Sequence, residues 1–256
     1  MSRILLTYPH SSLEIPDFVK SRLSVPSEDL AIASDLYTEK LLWALDAQRV
    51  FAWTHLFFWN LNRNIEWQNF LTKEQYWEHN WMFQSVLLRD GREIYKSWEW
   101  LTDEEKQRLL DLYYKPFYKR VHELLDSWNV DFMFDVHSCD PISSGKQAWS
   151  WERADIILWN LWDENWEVKD EVWFVTFSPD ILNRIKRILE DGWLSVSLNV
   201  PFSWWNITQE FWSLKKAQVL QIEVNKRLYL KDDLLTISQD WLRRVDEILT
   251  NALRSL

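Results

Sequence analysis

The sequence predicts a single α/β domain over residues 1–256, built on a central, mostly parallel mixed sheet with helices on both faces. Three observations predict it. Short apolar runs rich in β-branched and aromatic residues recur from Ile4 to Val224, stretches with helical periodicity and recognisable caps fall between them, and no linker, repeat or low-complexity segment divides the chain. At 256 residues the chain is long enough to bury one sizeable core.

Taken in order, Ile4-Leu5-Leu6-Thr7-Tyr8 is a short buried strand stopped by Pro9, with His10 just beyond its end. A loop carrying Ser34-Asp35 leads into a predicted helix from Leu36 to Ala47, where apolar residues stand at helical spacing. Thr102-Asp103-Glu104-Glu105 is a capping box that opens a helical stretch to Ser127, which Pro116 should kink or divide. Asp131 to Val136 reads as a strand that places His137 and Ser138 at its exit. Asp155–Leu158 and Val172–Thr176 are further predicted strands, and Ser178-Pro179-Asp180 supplies an N-cap and a first-turn proline for a helix to Glu190. Leu194–Val200 and Val219–Val224 complete the strands, and a last helix runs from Ser238 toward Leu253.

A formal charge of −10 with no long Lys/Arg cluster argues against a nucleic-acid partner, because phosphate binding needs a basic face. No window approaches 18 uninterrupted apolar residues, and Met1 to Pro9 lacks a signal-peptide core, so the expected location is the cytoplasm with no membrane partner. Cys139 is the single cysteine, which excludes an internal disulfide. The 20 Trp and 3 Gly are out of proportion, since a chain of this length should hold roughly 18 Gly.

His10, His137 and Glu223 all fall at predicted C-terminal ends of strands, the edge where open α/β sheets bind ligands. Two imidazoles and a carboxylate make a catalytic zinc set, and a second carboxylate would serve as base. Taken singly, a histidine at a strand end is more often an ordinary polar or packed residue. His55, His79 and His122 read as structural or solvated, and Cys139 reads as incidental rather than as a thiol nucleophile. In Leu61-Asn62-Arg63-Asn64 the guanidinium could fork onto a substrate carboxylate or make a surface ion pair.

The order of these segments carries more than any one of them. Pro9-His10-Ser11 with Ile15-Pro16, Ser34-Asp35-Leu36-Tyr37-Thr38, Leu61-Asn62-Arg63-Asn64, Tyr114-Lys115-Pro116-Phe117, Asp135-Val136-His137-Ser138, Arg153-Ala154-Asp155-Ile156, Asn199-Val200-Pro201-Phe202 and Gln221-Ile222-Glu223-Val224-Asn225 follow one another as in the N-formylglutamate amidohydrolase family, which the chain resembles. That family is similar in fold to the zinc carboxypeptidases, with their phosphorylase/hydrolase-like architecture. The resemblance implies Zn2+ held by His10 and His137, with Asp35 as the carboxylate ligand and Glu14, four residues after His10, competing for that place. It further implies Glu223 as the general base and Asn62 and Arg63 on the carboxylate of an N-acyl amino acid. Arg63 also counts among the catalytic residues, and Arg153 is a second candidate for substrate or oxyanion contact. Asn60 and Asn64 stand where the family commonly has aspartate, which bears on substrate preference.

The implied activity is cleavage of the acyl amide of a small N-acyl amino acid, most simply N-formyl-L-glutamate to L-glutamate and formate, a step of histidine breakdown. A carboxypeptidase-like or peptidoglycan-fragment amidase would need a longer, more open cleft. An inactive binding protein on the same fold should have lost a ligand or the base, yet His10, His137 and Glu223 are all present.

The family usually has glycine where this chain has Trp159 and Trp204-Trp205. Trp128 follows a predicted helix end, where a left-handed glycine is usual, and Trp98-Glu99-Trp100 precedes a helix N-cap. Trp149, Trp151, Trp162 and Trp166 fall in polar, loop-like stretches. Trp and Gly together number 23, an ordinary glycine allotment plus a few tryptophans. This pattern suggests UGA codons that mean glycine but are written as tryptophan, and fits an aromatic binding face poorly because the positions lack periodicity.

Overall fold

Short runs rich in apolar residues build six strands among the described residues: β1 Ile4–Tyr8, β2 Ala47–Phe51, β3 Phe132–Cys139, β4 Ile156–Trp159, β5 Val196–Leu198 and β6 Gln218–Asn225. The computed structural model describes residues 3–63, 83, 87, 90–97, 99–142, 152–160, 175–200 and 206–256. The strands form one sheet in the order β2-β1-β3-β6-β4-β5. The neighbours β2, β1, β3 and β6 run parallel, whereas β4 runs antiparallel to β6 and parallel to β5. The predicted mixed α/β sheet is therefore present, and the reversal at β4 is its antiparallel part.

Helices cover both faces. α1 Asp17–Lys20, α2 Ser27–Ala33, α3 Asp103–Leu109, α4 Lys115–Ser127 and α6 Asn206–Ser213 contribute to the core that contains Leu5, Met133 and Val219. α5 Pro179–Asp191 and α7 Gln239–Arg254 cover the opposite face, against Ile4, Leu6, Phe134, Val136 and Ile222. Successive strand residues point to opposite faces, so each strand contributes to both cores.

The capping box forms as predicted: Thr102 Oγ1 accepts the Glu105 N–H at 3.2 Å and Glu105 accepts the Thr102 N–H at 2.9 Å. The stretch it opens is divided, with a π-turn at Leu110–Tyr114 and Pro116 in the first turn of α4. Proline is tolerated there because it has no N–H to place in the helical ladder.

The predicted helix from Leu36 to Ala47 does not form. Tyr37 and Leu42 take left-handed φ of 65° and 60°, a short 3-10 turn spans Thr38–Lys40, and Ala47 already begins β2. Helical spacing there reflects burial of Leu41, Leu42 and Leu45 on a compact turn. Arg49 replaces the missing helical ladder, its guanidinium donating to the carbonyls of Leu42, Trp43, Leu45 and Ala47 at 2.7–3.1 Å. The predicted strand Leu194–Val200 shortens to β5, because Asn199 turns to φ 58°. Of the predicted strand Val172–Thr176, residues 172–174 lie outside the described residues, and Val175 and Thr176 are not extended into the sheet. No helix among the described residues is long and apolar enough to cross a membrane.

Two helix ends bear on the tryptophans. At the end of α4, Trp128 has φ −111° and the left-handed residue is Asn129, φ 53°, one position later than expected. At the end of α5, Trp193 is left-handed, φ 69°; its N–H donates to Glu190 O at 2.9 Å and the Leu194 N–H to Leu189 O at 3.2 Å. That pair of bonds is a Schellman motif with tryptophan at its glycine position, and the side chain is 88% exposed. Gly192 beside it is needed for space, since a Cβ there would come 2.8 Å from Ile248 Cγ2. Trp159 is buried at the end of β4, with its indole nitrogen lacking a partner among the described residues. Trp98, Trp149, Trp151, Trp162, Trp166, Trp204 and Trp205 lie outside those residues.

Candidate metal centre

On the face of the sheet shared with Leu5, the strands begin apolar and end polar. Register places Thr7 beside Asp135 and Asp135 beside Gln221, then His137 beside Glu223 one pleat further on. Thr7, Asp135 and Gln221 are fully buried, and His137 and Glu223 nearly so. His10 arrives two residues past β1, and Asp35 follows α2. The Asp35 N–H donates to His10 O at 3.0 Å, which fastens that loop to the end of β1.

The side chains of His10, Asp35 and His137 converge. His137 Nδ1 lies 3.1 Å from His10 Nδ1 and 3.0 Å from Asp35 Oδ2, and His10 Nδ1 lies 3.5 Å from the same oxygen. All three residues are buried, and one ligand atom from each falls within 4.8 Å of the others. Each group is held from behind. Thr7 Oγ1 donates to Asp135 Oδ1 at 2.7 Å, and Asp135 Oδ2 accepts from His137 Nε2 at 2.9 Å. Asn60 Oδ1 lies 2.8 Å from His10 Nε2, and Ser138 Oγ donates to Asp35 Oδ1 at 3.2 Å. Two imidazole nitrogens and one carboxylate oxygen meeting at a point fit the donor chemistry of zinc, and carboxylate-backed histidine is a recurrent support for such ligands.

Electrostatics follows from burial and closeness. Burial opposes the charge on Asp35, but hydrogen bonds and positive charge from His10 and His137 outweigh it and hold the carboxyl well below its ordinary range. Burial likewise opposes protonation of His137, and Asp135, Asp35 and Glu223 overcome it and raise that ring well above its ordinary value. Glu223 is pushed up to about 8, first by burial and further by the charge of Asp35, against the opposing charge of His137. Gln221 Nε2 donates to Glu223 Oε1 at 2.8 Å.

Glu14 stands apart from this cluster. Its residue is exposed, and its main-chain carbonyl accepts from the His55 N–H at 2.8 Å and from Thr54 Oγ1 at 3.2 Å. The structure thus brings Asp35, and not Glu14, to the two imidazoles. Asn62 is fully buried; its Oδ1 accepts the Ile207 N–H at 3.0 Å, and its Nδ2 lies 3.3 Å from His137 Nε2. Arg63 is half-buried, donates from Nη1 to Asn62 O at 3.2 Å, and burial pulls its pKa down to about 10. Asn64 lies outside the described residues.

Arg153 reaches this edge by the reversal of the sheet. Because β4 is antiparallel to β6, residues just before β4 lie near the C-terminal end of β6, where Asn225 Nδ2 donates to the carbonyls of Arg153 and Ala154 at 3.2 Å. Arg153 Nη1 donates to Asp140 O at 3.0 Å. Lys226, buried just past β6, donates to Asp140 Oδ1 at 2.8 Å and Ile32 O at 2.7 Å, tying together the ends of β3, β6 and α2.

His55 is structural. Its Nε2 donates to Leu30 O at 2.9 Å, its Nδ1 accepts the Phe57 N–H at 3.2 Å, and burial lowers its pKa to about 4. His122 lies on α4, edge-on to Phe211, and His79 is outside the described residues. The Cys139 thiol is buried and its pKa is raised by that burial, which removes the thiolate a nucleophile would need. The supporting roles of Asp135, Gln221 and Asn60 are not apparent from residue type. Their signal is spacing, since the first two stand two residues before the groups they hold.

The sequence model of the N-formylglutamate amidohydrolase family matches residues 2–230. Among solved structures, the N-formylglutamate amidohydrolase of Ralstonia eutropha JMP134 superposes with a TM-score of 0.72 at 18% identity, covering 100% of this chain and 95% of that one. A gene product of Agrobacterium tumefaciens gives 0.65 at 17% identity, with 99% and 91% covered. No curated protein sequence matches the chain. These likenesses show the fold, and the match over most of the length shows the family: the chain belongs to the N-formylglutamate amidohydrolases.

Proposed function

We propose that the protein is a zinc-dependent amidohydrolase, one catalytic domain over residues 1–256, that cleaves the acyl amide of a small N-acyl amino acid, with N-formyl-L-glutamate the simplest substrate. The observation that carries this reading is the buried convergence of His10, Asp35 and His137 on the sheet edge where Glu223 stands beside His137. These three residues would hold the metal. Zinc in such a site lowers the pKa of a water and polarises a carbonyl.

The protein's own groups supply the rest. Glu223, poised near 8, takes a proton from the attacking water as a carboxylate and returns it to the amine nitrogen as the C–N bond breaks. Gln221 fixes one of its oxygens and leaves the other for that transfer. Arg63 and Asn62 bind the substrate carboxylate, and an anionic substrate opposes the loss of charge that burial imposes on Arg63. Arg153 is the second cation for the substrate or the developing oxyanion. The partner is a small molecule, with neither nucleic acid nor membrane involved, and the reaction belongs to histidine breakdown in the cytoplasm. UGA-encoded glycine at many of the tryptophan positions belongs to the same proposal, and Trp193 at a glycine position supports it.

Metal analysis together with formate release from N-formylglutamate and other N-acyl amino acids tests this. Stoichiometric zinc is expected, and Glu223→Gln should keep the metal while losing about 10²–10⁴-fold in kcat. A metal-free active enzyme, or unchanged turnover in that variant, overturns the mechanism. Activity confined to peptides or muropeptide fragments replaces the substrate, and binding without turnover replaces the enzyme.

A further inference from the structure

Asn60 precedes the Asn62-Arg63 pair and is 3% exposed. Its Oδ1 lies 3.0 Å from the main-chain nitrogen of Asn62 and 2.8 Å from His10 Nε2. A backbone N–H can only donate, so the atom it meets must be the carboxamide oxygen and not the nitrogen. That oxygen has no hydrogen to give, so His10 Nε2 must supply one. The proton is therefore on Nε2, and Nδ1, which faces His137 Nδ1 and Asp35 Oδ2, keeps its lone pair. His137 faces a carboxylate on both sides, Asp35 Oδ2 3.0 Å from Nδ1 and Asp135 Oδ2 2.9 Å from Nε2, so only a metal on Nδ1 would fix its proton on Nε2. The longer Asn62 contact to that nitrogen, 3.3 Å, does not decide the proton.

We infer that Asn60 is the positioning residue that makes His10 a ligand through Nδ1, and that its neutrality makes His10 the weaker of the two imidazole ligands. The inference rests on the metal reading above. A carboxylate behind a ligating histidine raises the basicity of the opposite nitrogen more than an amide does. Because the same oxygen also takes the Asn62 N–H, one atom joins the first histidine to the loop that carries Arg63. Asparagine at this position therefore acts on the metal ligand, where the sequence suggested an effect on substrate preference.

Two measurements test this. In the metal-free wild type, above the pH at which its imidazoles titrate, long-range proton–nitrogen NMR should place the His10 proton on Nε2; a proton on Nδ1 overturns the inference whatever the metal does. Zinc competition against a chromophoric chelator should show about 10–100-fold weaker binding in Asn60→Leu and binding at least as tight as wild type in Asn60→Asp. Equal losses in both would assign Asn60 to the loop alone and overturn the proposal. Should Asn60→Leu fail to fold, the wild-type tautomer and the Asn60→Asp affinity decide it. A wild type that binds no zinc yet carries the Nε2 proton would sink the metal reading and uphold the tautomer.

Discussion

The two faces of β3 and β6 are made by the same residues taken alternately, yet they differ in kind. Beneath α5 and α7, Phe132, Phe134 and Val136 of β3 and Leu220, Ile222 and Val224 of β6 are apolar, and polar residues stand on that face only at Gln218, where β6 begins, and Ser138, near the end of β3. On the other face, Met133 and Val219 give way to Asp135 and Gln221 and then to His137 and Glu223. One face secures the sheet along its length, and the other needs only its first residues for packing, leaving the edge for chemistry. The difference also orders the polar face, since Asp135 and Gln221 each stand two residues behind the group they hold.

The largest test of that division is Phe134→Ala. Phe134 is fully buried and packs with Phe132 and Phe177, so its loss should cost about 3–5 kcal/mol of stability, read by chemical denaturation. Zinc affinity of the folded fraction should stay at the wild-type level, and a large change would show that the faces are not independent.

A smaller effect comes from His55, buried neutral among the polar-face helices. Its folded pKa of about 4 lies below the unfolded value of 6.5, so its contribution is present above 6.5 and is lost as pH falls toward 4. Stability should drop by about 2 kcal/mol between pH 7.5 and pH 5, and His55→Gln should flatten that slope. An unchanged slope would move the acid sensitivity elsewhere.

Gln221→Leu sharpens the comparison from the other side. It should lower kcat roughly tenfold by releasing Glu223, yet leave stability unchanged or higher, because Gln221 Oε1 has no partner among the described residues. A stability loss without a kinetic one would make Gln221 a packing residue. The smallest effect is expected at Trp193→Gly, which should stabilise by about 1 kcal/mol by relieving a left-handed backbone. A loss of stability there would remove the conformational argument for glycine.

Much of this architecture is legible in the sequence where periodicity and caps agree: β1, β6, α5, α7 and the Thr102 capping box lie where their patterns predict, and β3 begins as predicted but runs on through His137 and Ser138 to Cys139. The stretch from Leu36 to Ala47 misleads because Arg49, from outside it, satisfies carbonyls that a helix would have paired internally. Strand direction leaves no periodic trace, so the route by which Arg153 comes to the edge is visible only in the sheet. His10, Asp35, His137 and Glu223 are legible through the order of their motifs, whereas the role of Asn60 depends on which way an amide faces.

The turn that ends α5 has a practical consequence for anyone handling this protein. Trp43, Trp53, Trp193 and Trp241 are 53–88% exposed, so the surface as written carries several bare indoles. Exposed aromatic surface promotes self-association. If the native ribosome reads UGA as glycine at such positions, an unaltered gene stops early in an ordinary expression host, and a gene resynthesised to match the written sequence yields a stickier relative of the enzyme. The codon at Trp193 is the first to read: UGG there would make the indole native and its strained turn a cost the protein carries.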